Sequence, residues 1–343
     1  MSPSKRRYTE FNYPSVNPGN TLLTGVRQWR RSEADGDVLI SGFFEPKPQG
    51  RTRSFVYKGP LSSKGSNVKN NFHELDYPSA PGRAVVSTSL YGPNKSHVGL
   101  EVVGNYTTQE QPGITFGCLY QGPLDGSGTW RTLTPPGATQ VIAHSNMGGL
   151  VVGNYIAEKP HAFIYDIYKD SYVDISAEAI FHLRDFHVFR PNFLSITAYG
   201  IWHNGGSHFS ICGGYVDSMM PELERAYIVD WDNERKRFNR FRIFTYRNRQ
   251  AAITHFDGIT TDGCGGFYLT GDYVKLSNGA ENAFFAHVFE DNKVQPTWET
   301  LEVPPKRSTS GNTVIGKTAI GVYQSKSGLF HGYLSKPKRL HRH

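Results

Sequence analysis

The sequence predicts an all-β fold, a six-bladed β-propeller whose N-terminal strand completes the last blade. The 343 residues are 13% aromatic and 20% charged, with 36 glycines and 20 prolines, a composition typical of strands joined by tight turns. A glycine, any residue and an aromatic residue end an apolar run six times. The last repeat also lacks its final strand, and the N-terminus carries a matching one.

The repeated triplet divides the chain into units of similar length. Successive triplets are 49 to 62 residues apart. An apolar strand precedes each triplet, a second aromatic strand follows it, and a third strand follows in five of the six units. Four short strands per unit are the content of one propeller blade. The triplets are Gly42-Phe43-Phe44, Gly104-Asn105-Tyr106, Gly153-Asn154-Tyr155, Gly213-Gly214-Tyr215, Gly271-Asp272-Tyr273 and Gly321-Val322-Tyr323.

The two ends of the chain are predicted to meet in one sheet. Residues 8–14 (YTEFNYP) read like residues 72–78 (FHELDYP), which end the first unit. Closing the ring in this way leaves no exposed sheet edge. We therefore expect one domain, with a two-sheet sandwich as the alternative. The predicted blades are 20–78, 83–135, 139–176, 194–245, 251–304 and 310–334 with 8–14; a lid-like insertion spans 177–194 and a basic tail 335–343.

The third unit resembles the HAF-type propeller repeat. Gly-Leu-Val-Val-Gly-Asn-Tyr at 149–155 is followed by His161-Ala162-Phe163, and the 129–139 segment precedes them. Asn282-Ala283-Phe284 and Phe330-His331-Gly332 match the same motif in part. The resemblance covers most of residues 8–334 and implies a propeller, but it implies little about activity, because such repeats are largely structural.

Charge and cysteine content argue against several classes of partner. The net charge of +7 is accounted for by the two tails, so the body is neutral and no nucleic-acid groove is expected. The cysteines Cys118, Cys212 and Cys264 lie in apolar runs, which predicts buried thiols. We expect no membrane span, no signal peptide in this numbering and a monomer. The compartment stays open, because sequons occur at Asn94 and Asn105.

The insertion at residues 177–194 is the longest predicted connection to an inner strand. Long loops in compact domains often carry function, and this one mixes charged residues with four phenylalanines. We interpret it as a lid over one mouth of the central channel, where it supplies substrate contacts. An edge insertion packed on its own phenylalanines is the alternative. The candidate contacts are Arg184, Asp185, His187 and Arg190.

The starts of the predicted inner strands supply four candidate catalytic residues. His255 and Asp257 are two residues apart, so on a strand they share one face, and the carboxylate can orient the imidazole as a general base. His144 and Tyr199 occupy comparable positions on other strands. The alternatives are a hydrogen-bonded pair joining two blades for His255 and Asp257, and a packing histidine for His144.

Arginines near the same predicted mouth are candidates for binding the substrate. Their guanidinium groups would reach an anionic or carbonyl group near the channel, and solvated loop charge is the alternative. These residues are Arg27, Arg83, Arg247 and Arg249.

Three functions remain open at this point. We favour an enzyme of lyase, cyclase or pericyclase type that acts on one small organic molecule, needs no cofactor and holds no metal; the sequence contains no phosphate-binding loop, no G-x-S-x-G and no H-E-x-x-H. A carbohydrate-binding propeller is the alternative, and a protein-interaction scaffold is the third. Polar residues that cluster once favour the enzyme, whereas polar residues that recur with the blade period favour the lectin.

Overall fold

Short apolar strands separated by turns pair in antiparallel order along the chain. A computed structural model of the protein describes residues 8–14, 19–29, 36–46, 50–176, 179–180, 192–247, 251–277, 279–291, 293–303 and 308–337. Twenty-five β-strands lie within these residues, and α1 (Ser63–Ser66) and a 3₁₀ helix (Lys69–Asn71) interrupt the first sheet. The fold is all-β, as predicted.

The first three sheets each contain four strands in chain order. In each sheet the first strand lies at the centre of the molecule and the fourth lies at the outside. The strands are β2 (Asn20–Gln28), β3 (Val38–Glu45), β4 (Arg53–Gly59) and β5 (Phe72–Glu74); β6 (Val85–Ser96), β7 (Gly99–Thr108), β8 (Phe116–Gly122) and β9 (Thr129–Leu133); and β10 (Gln140–Met147), β11 (Leu150–Ile156), β12 (Pro160–Asp166) and β13 (Ser171–Ile175).

The fourth sheet has nine strands and consists of two antiparallel units. One parallel residue pair, Glu224 opposite Ile253, joins the units, and it is formed by the N-terminal part of β17. β14 and β15 both pair with β16, so they act as one interrupted inner strand. The strands are β14 (Phe193–Ile196), β15 (Gly200–Gly205), β16 (His208–Asp217), β17 (Met220–Asp232) and β18 (Arg237–Phe244), followed by β19 (Ala251–Thr261), β20 (Phe267–Lys275), β21 (Glu281–Val288) and β22 (Thr297–Thr300).

The last sheet joins the two ends of the chain, as predicted. It contains β23 (Thr309–Ile315), β24 (Thr318–Gln324), β25 (Phe330–Ser335) and, at its edge, β1 (Tyr8–Glu10). Tyr8 pairs with Ser335 in antiparallel register. The predicted strand was longer, since residues 11–14 are not in a strand, although the Phe11 N–H still donates to the Gly332 carbonyl at 2.9 Å.

The sheets form a closed ring around a central channel. The inner strands β2, β6, β10, β15, β19 and β23 contact one another in that order, and β23 contacts β2. Apolar residues pack between neighbouring sheets, as where Leu39 and Val56 meet Leu90 and Val102. This ring of face-packed sheets is a β-propeller, which confirms the predicted class of fold.

Several smaller expectations are settled by burial. Cys118 and Cys212 are buried, but Cys264 is exposed. The prediction for Cys264 was wrong because the residue lies in a turn where its N–H donates to Asp262 at 2.7 Å. Asn105 is 7% exposed, so its sequon is inaccessible in the folded protein. No helix among the described residues is long and apolar enough to cross a membrane.

Candidate active site

The inner strands are irregular at the same height in the ring. Register shifts fall between Leu23 and Gly25, Leu90 and Pro93, Ala143 and Ser145, Phe256 and Gly258, and Ser310 and Thr313. A bulge re-aims the side chain that it carries, and the break between β14 and β15 has the same effect. The side chains placed at these positions are Thr24, Tyr91, His144, Tyr199, Asp257 and Asn312, which all line one cavity.

Contacts between neighbouring inner strands hold this ring of side chains. The Thr24 hydroxyl donates to the Leu90 carbonyl at 2.6 Å, and the Asn312 amide donates to the Leu23 carbonyl at 2.6 Å. Backbone packing is close, because a Cβ on Gly25 would lie 2.0 Å from the Tyr91 carbonyl oxygen. Below this ring of side chains the channel narrows to a void with a volume of about 10 Å³, which is about the volume that one water molecule needs.

The cavity above the ring has a volume of about 320 Å³, within the range of small-molecule sites. It lies at the end of the channel where the inner strands begin, which is the predicted end. The described residues that line it besides the ring are Leu22, Phe43, Glu281, Ser308, Ser310, Val322, Gln324 and Phe330.

Aromatic rings form one side of the cavity. Phe43 lies 6.3 Å from Tyr91, Tyr91 lies 5.0 Å from His144, and His144 lies 4.7 Å from Tyr199, measured between ring centroids. All three pairs are edge-to-face, the geometry that aromatic quadrupoles favour. The centroid of the Tyr199 ring also lies 5.5 Å from that of the His255 ring.

His255 lies between acidic side chains on the other side. Its Nδ1 is 3.2 Å from Oε1 of Glu224, and its Nε2 is 3.5 Å from Oδ2 of Asp257 and 3.9 Å from Oδ2 of Asp272. These are ion-pair distances, and neither Nδ1 of His255 nor Oδ2 of Asp257 has a partner in hydrogen-bond geometry among the described residues; carboxylates near both ring nitrogens favour the protonated imidazolium. Glu224 reaches this position because β17 extends toward β19.

Asp272 and Glu281 complete the acidic group. Asp272 is 5% exposed, and it accepts the Gly311 N–H and the Ser310 hydroxyl, both at 2.8 Å. Glu281 lines the cavity and hydrogen bonds to Asp272. Three carboxyl groups therefore lie within 4 Å of one imidazole and a fourth contacts one of them, and we call His255, Glu224, Asp257, Asp272 and Glu281 the acidic cluster.

Burial and the charges within the acidic cluster shift the pKa values of its members. Burial alone would lower the pKa of His255, but the charges of Asp257, Glu224 and Asp272 outweigh it and raise the pKa to about 10. Burial holds the pKa of Asp257 well above its usual range, and the neighbouring carboxylates add to the effect. Burial likewise raises the pKa of Asp272 and Glu281. At neutral pH His255 is therefore a cation, and the raised pKa of Asp257 favours its neutral form.

The two aromatic candidates stay neutral. Burial lowers the pKa of His144 to about 3, so its imidazole is uncharged at physiological pH. Burial, followed by the charges of Asp257 and Glu224, raises the pKa of Tyr199, so its hydroxyl keeps its proton. The structure thus brings all four predicted catalytic residues to one end of the channel.

The predicted substrate-binding arginines lie elsewhere. Arg27 lies on the far side of the ring, where it donates to the Ile201 carbonyl at 2.8 Å and the Ser145 hydroxyl at 3.1 Å. Arg83 stacks over Tyr77, and Arg247 stacks over Tyr246. The three interact with groups of their own sheets or channel wall, so none lines the cavity. Arg184, Asp185, His187, Arg190 and Arg249, and with them most of the predicted lid, lie outside the described residues.

A larger depression of about 1210 Å³ opens at the opposite mouth. In it Arg240 approaches Asp230 at 3.9 Å and donates to the Glu290 backbone carbonyl at 3.2 Å, whereas the buried Nε of Arg242 has no hydrogen-bond partner in the described part of the chain. The proton-transfer groups described above are at the other mouth. We therefore place the candidate active site in the smaller cavity.

Sequence reasoning missed Tyr91, Glu224, Asp272 and Glu281. One of them had a signal: Asp272 is the middle residue of the triplet, and the middle residues Phe43 and Val322 of two other triplets also line the cavity. An acid at that position distinguishes the fifth repeat from the others. Glu224 had no such signal, because its contact depends on the extension of β17.

The acidic cluster also has the donor set of a metal site. One ligand atom each from His255, Asp257 and Asp272 lies within 4.8 Å of the others, so these residues are close enough to share an ion. His255 would have to give up its second proton to ligate. The sequence analysis expected no metal here.

Comparisons with known proteins show only general similarity. No protein-family model matches the chain, and no curated protein matches it, so the HAF-type resemblance stays a prediction. A luciferin-regenerating enzyme is 10% identical over 94% of each chain, with a TM-score of 0.49. A fungal lectin from Aleuria aurantia, a six-bladed propeller that recognises fucose, is 12% identical over 95% of this chain and 93% of its own, with a TM-score of 0.43.

A third solved structure is similar over part of its length. Puromycin hydrolase is 14% identical over 96% of this chain and 47% of its own, with a TM-score of 0.45. Similarities of this size say nothing about ligand or activity. The assignment of the fold rests on the strand pairing described above.

Proposed function

We propose that the protein is a small-molecule enzyme that moves a proton on a substrate bound in the channel cavity. The observation that carries this proposal is the ring of side chains: equivalent bulges on successive inner strands present Thr24, Tyr91, His144, Tyr199, Asp257 and Asn312 to one cavity. A symmetric scaffold that presents such a varied set at one point is suited to one asymmetric ligand.

Asp257 is the proton-transfer group in this proposal. Its carboxylate takes a proton from the substrate and becomes a neutral acid, while the electron pair of the broken bond stays on the substrate. Its raised pKa brings it toward the value that suits a general base near neutral pH. His255, with its Nε2 3.5 Å away, acts as a positioning residue: its positive charge opposes the effect of burial and favours the ionised form of Asp257.

Tyr199 and His144 supply polar contacts at the other wall. The Tyr199 hydroxyl donates to the substrate oxygen on which charge develops. The neutral His144 can accept or donate one hydrogen bond. The proposed roles differ from the expected ones: the general base expected from the sequence was His255, whose imidazole is protonated here, and the proposed base is Asp257. Lyases and cyclases that act by proton transfer fit the arrangement.

We also propose that the propeller has six blades. The nine-stranded sheet consists of two antiparallel units linked by one residue pair, and six stretches of inner strand surround the channel. Counting each unit as a blade gives the six predicted from the repeats.

The carbohydrate-binding alternative depends on residues that recur with the blade period. Tyr77 stacks on Tyr106, and Tyr246 stacks on Tyr273, each at 3.8 Å between centroids. These four tyrosines are at most 5% exposed, so little of each ring is accessible to a sugar, even where Tyr246 and Tyr273 line a depression of about 760 Å³. The recurring residues therefore favour the enzyme over a lectin, and no feature described above favours an interaction scaffold.

The proposal is tested with a neutral probe of base catalysis, 5-nitrobenzisoxazole, which opens to a coloured nitrophenolate when a base removes its C–H proton. We expect the protein to accelerate this reaction at least about tenfold over buffer, and Asp257→Asn to abolish the acceleration. Asp125→Asn, an exposed turn residue, is the matched control. Acceleration that survives in Asp257→Asn, or no acceleration by the wild type, overturns the proposal.

A further inference from the structure

The charge balance of the channel cavity indicates the class of molecule that it takes. Two carboxyl groups, Asp257 and Glu281, line the cavity directly, and the described lining residues include no lysine or arginine. His144 is the only other titratable nitrogen in the lining, and it is neutral. The described wall of the cavity therefore offers carboxyl groups and no lysine or arginine to a ligand, and a cation bound there would favour the ionised form of these groups.

Behind the wall, the negative charge is only partly compensated. Glu224 and Asp272 approach His255 at 3.2 and 3.9 Å, so one imidazolium faces carboxylates on several sides. The Oδ2 atom of Asp257 is buried and lacks a hydrogen-bond partner. A buried carboxylate oxygen with no donor is destabilising unless a ligand supplies one.

Much of the remaining wall is aromatic. Phe43 and Tyr91 lie 6.3 Å apart, Tyr199 lies beyond His144 in the same arc, and Phe330 also lines the cavity. The face of an aromatic ring carries partial negative charge and attracts an alkylammonium group. Carboxylates and aromatic rings in one lining are complementary to an organic cation.

We propose that the substrate of this site is a small organic cation, an amine or quaternary ammonium compound whose positive charge faces Asp257 and Glu281. The inference rests on the proposed function only in using the same cavity. It adds the chemical class of the substrate, which the proton-transfer chemistry leaves open.

A bare divalent cation is the competing occupant, since His255, Asp257 and Asp272 lie close together. The geometry favours the organic cation for two reasons. Carboxylate oxygens lie 3.2 and 3.5 Å from the two nitrogens of His255, and this surrounding favours the protonated ring, which cannot ligate a metal through either nitrogen. The aromatic arc also has no role around a bare ion.

The inference is tested by isothermal titration of two matched pairs at neutral pH: choline against 3,3-dimethylbutan-1-ol, and benzylamine against benzyl alcohol. Each pair has nearly the same shape and differs in charge. We expect at least one cation to bind at least about tenfold more tightly than its neutral partner. Glu281→Gln should weaken that cation at least about tenfold, and Asp125→Asn should leave its affinity unchanged.

Two further readouts separate the competing explanations. Binding of choline, whose charge is permanent, should release protons from the acidic cluster, so the observed heat should vary with the ionisation enthalpy of the buffer. Equal binding within both pairs, or binding of neither cation, overturns the inference. Tight binding of Mn²⁺ or Ca²⁺ that is lost in His255→Gln, without binding of either cation, overturns it in favour of a metal site. The neutral benzisoxazole probe reports on the proposed function independently of these results.

Discussion

His144 offers a direct test of the electrostatics of the cavity. Its ring lies edge-on between Tyr91 and Tyr199, and burial lowers its pKa from 6.5 to about 3. We predict that His144→Phe, which keeps an aromatic ring at this position but cannot be protonated, removes an acid-dependent loss of stability. The neutral imidazole required by the proposed site is the cause of that loss.

The magnitude follows from the two pKa values. The unfolded chain protonates His144 below about pH 6.5, whereas the folded state keeps it neutral down to about pH 3. Stability therefore falls as the pH decreases through 6.5, and the loss ends near the folded-state pKa. At 1.36 kcal/mol per pKa unit, the loss between pH 7.5 and pH 5 is about 2 kcal/mol. His144 is only partly buried, so solvent screening makes this an upper value.

The assay is urea unfolding of the wild type and His144→Phe at both pH values. The difference in unfolding free energy between the two proteins should change by about 2 kcal/mol between pH 7.5 and pH 5. Tyr91→Phe is the control, because burial raises the pKa of Tyr91 to about 12, so it does not titrate in this range. Identical pH dependence in the wild type and His144→Phe would refute the reasoning.

Three further predictions concern stability. Because burial holds the pKa of Asp257 well above its usual range, the stability of Asp257→Asn relative to the wild type, measured by urea unfolding, should rise between pH 3.5 and pH 7.5; a difference that stays constant or falls over this range would contradict this. Gly25→Ala should lose about 2 kcal/mol, measured by urea unfolding, since its Cβ would lie 2.0 Å from the Tyr91 carbonyl oxygen. Phe11→Ala should lose about 3–5 kcal/mol of unfolding free energy, because this buried ring packs 4.9 Å from Tyr57 and joins the last sheet to the first. Thr9→Ala, at an exposed position, is the control and should change stability by less than about 0.5 kcal/mol. Equal losses in the two variants would argue against closure of the ring by this segment.

Much of the fold could be predicted because the same local sequence pattern, and so the same strand arrangement, occurs six times along the chain. Each Gly-x-aromatic triplet lies in a second strand, where the glycine allows close approach: a Cβ on Gly42 would lie 2.5 Å from the Leu22 carbonyl, and one on Gly104 would lie 2.2 Å from the Ser89 carbonyl. The similarity of residues 8–14 to residues 72–78 predicted closure for the same reason. The interruption of the inner strand at residues 197–199 has no counterpart in the repeat and was not predicted.

The candidate site was predictable only in part. His255 and Asp257 share a strand, so their two-residue spacing brings them together, and His144 and Tyr199 lie at comparable heights on their strands. Glu224 reaches His255 through the extension of β17 and one parallel residue pair with β19, a tertiary feature that no local pattern encodes. Arg27 was placed at the wrong mouth because it follows the bulge at Thr24, and a bulge changes which residues point to each end of the channel.

The measurement that tests the central claim most directly is the titration of Asp257 itself. Carbon-13 resonances of labelled aspartate carboxyl groups are followed by NMR across the pH range in the wild type and in Asp257→Asn. The account predicts one carboxyl resonance that titrates well above the usual aspartate value of about 3.9 and is absent from the variant. If every aspartate of the wild type titrates at or below that value, Asp257 is not the proton-transfer group and the proposed site is wrong.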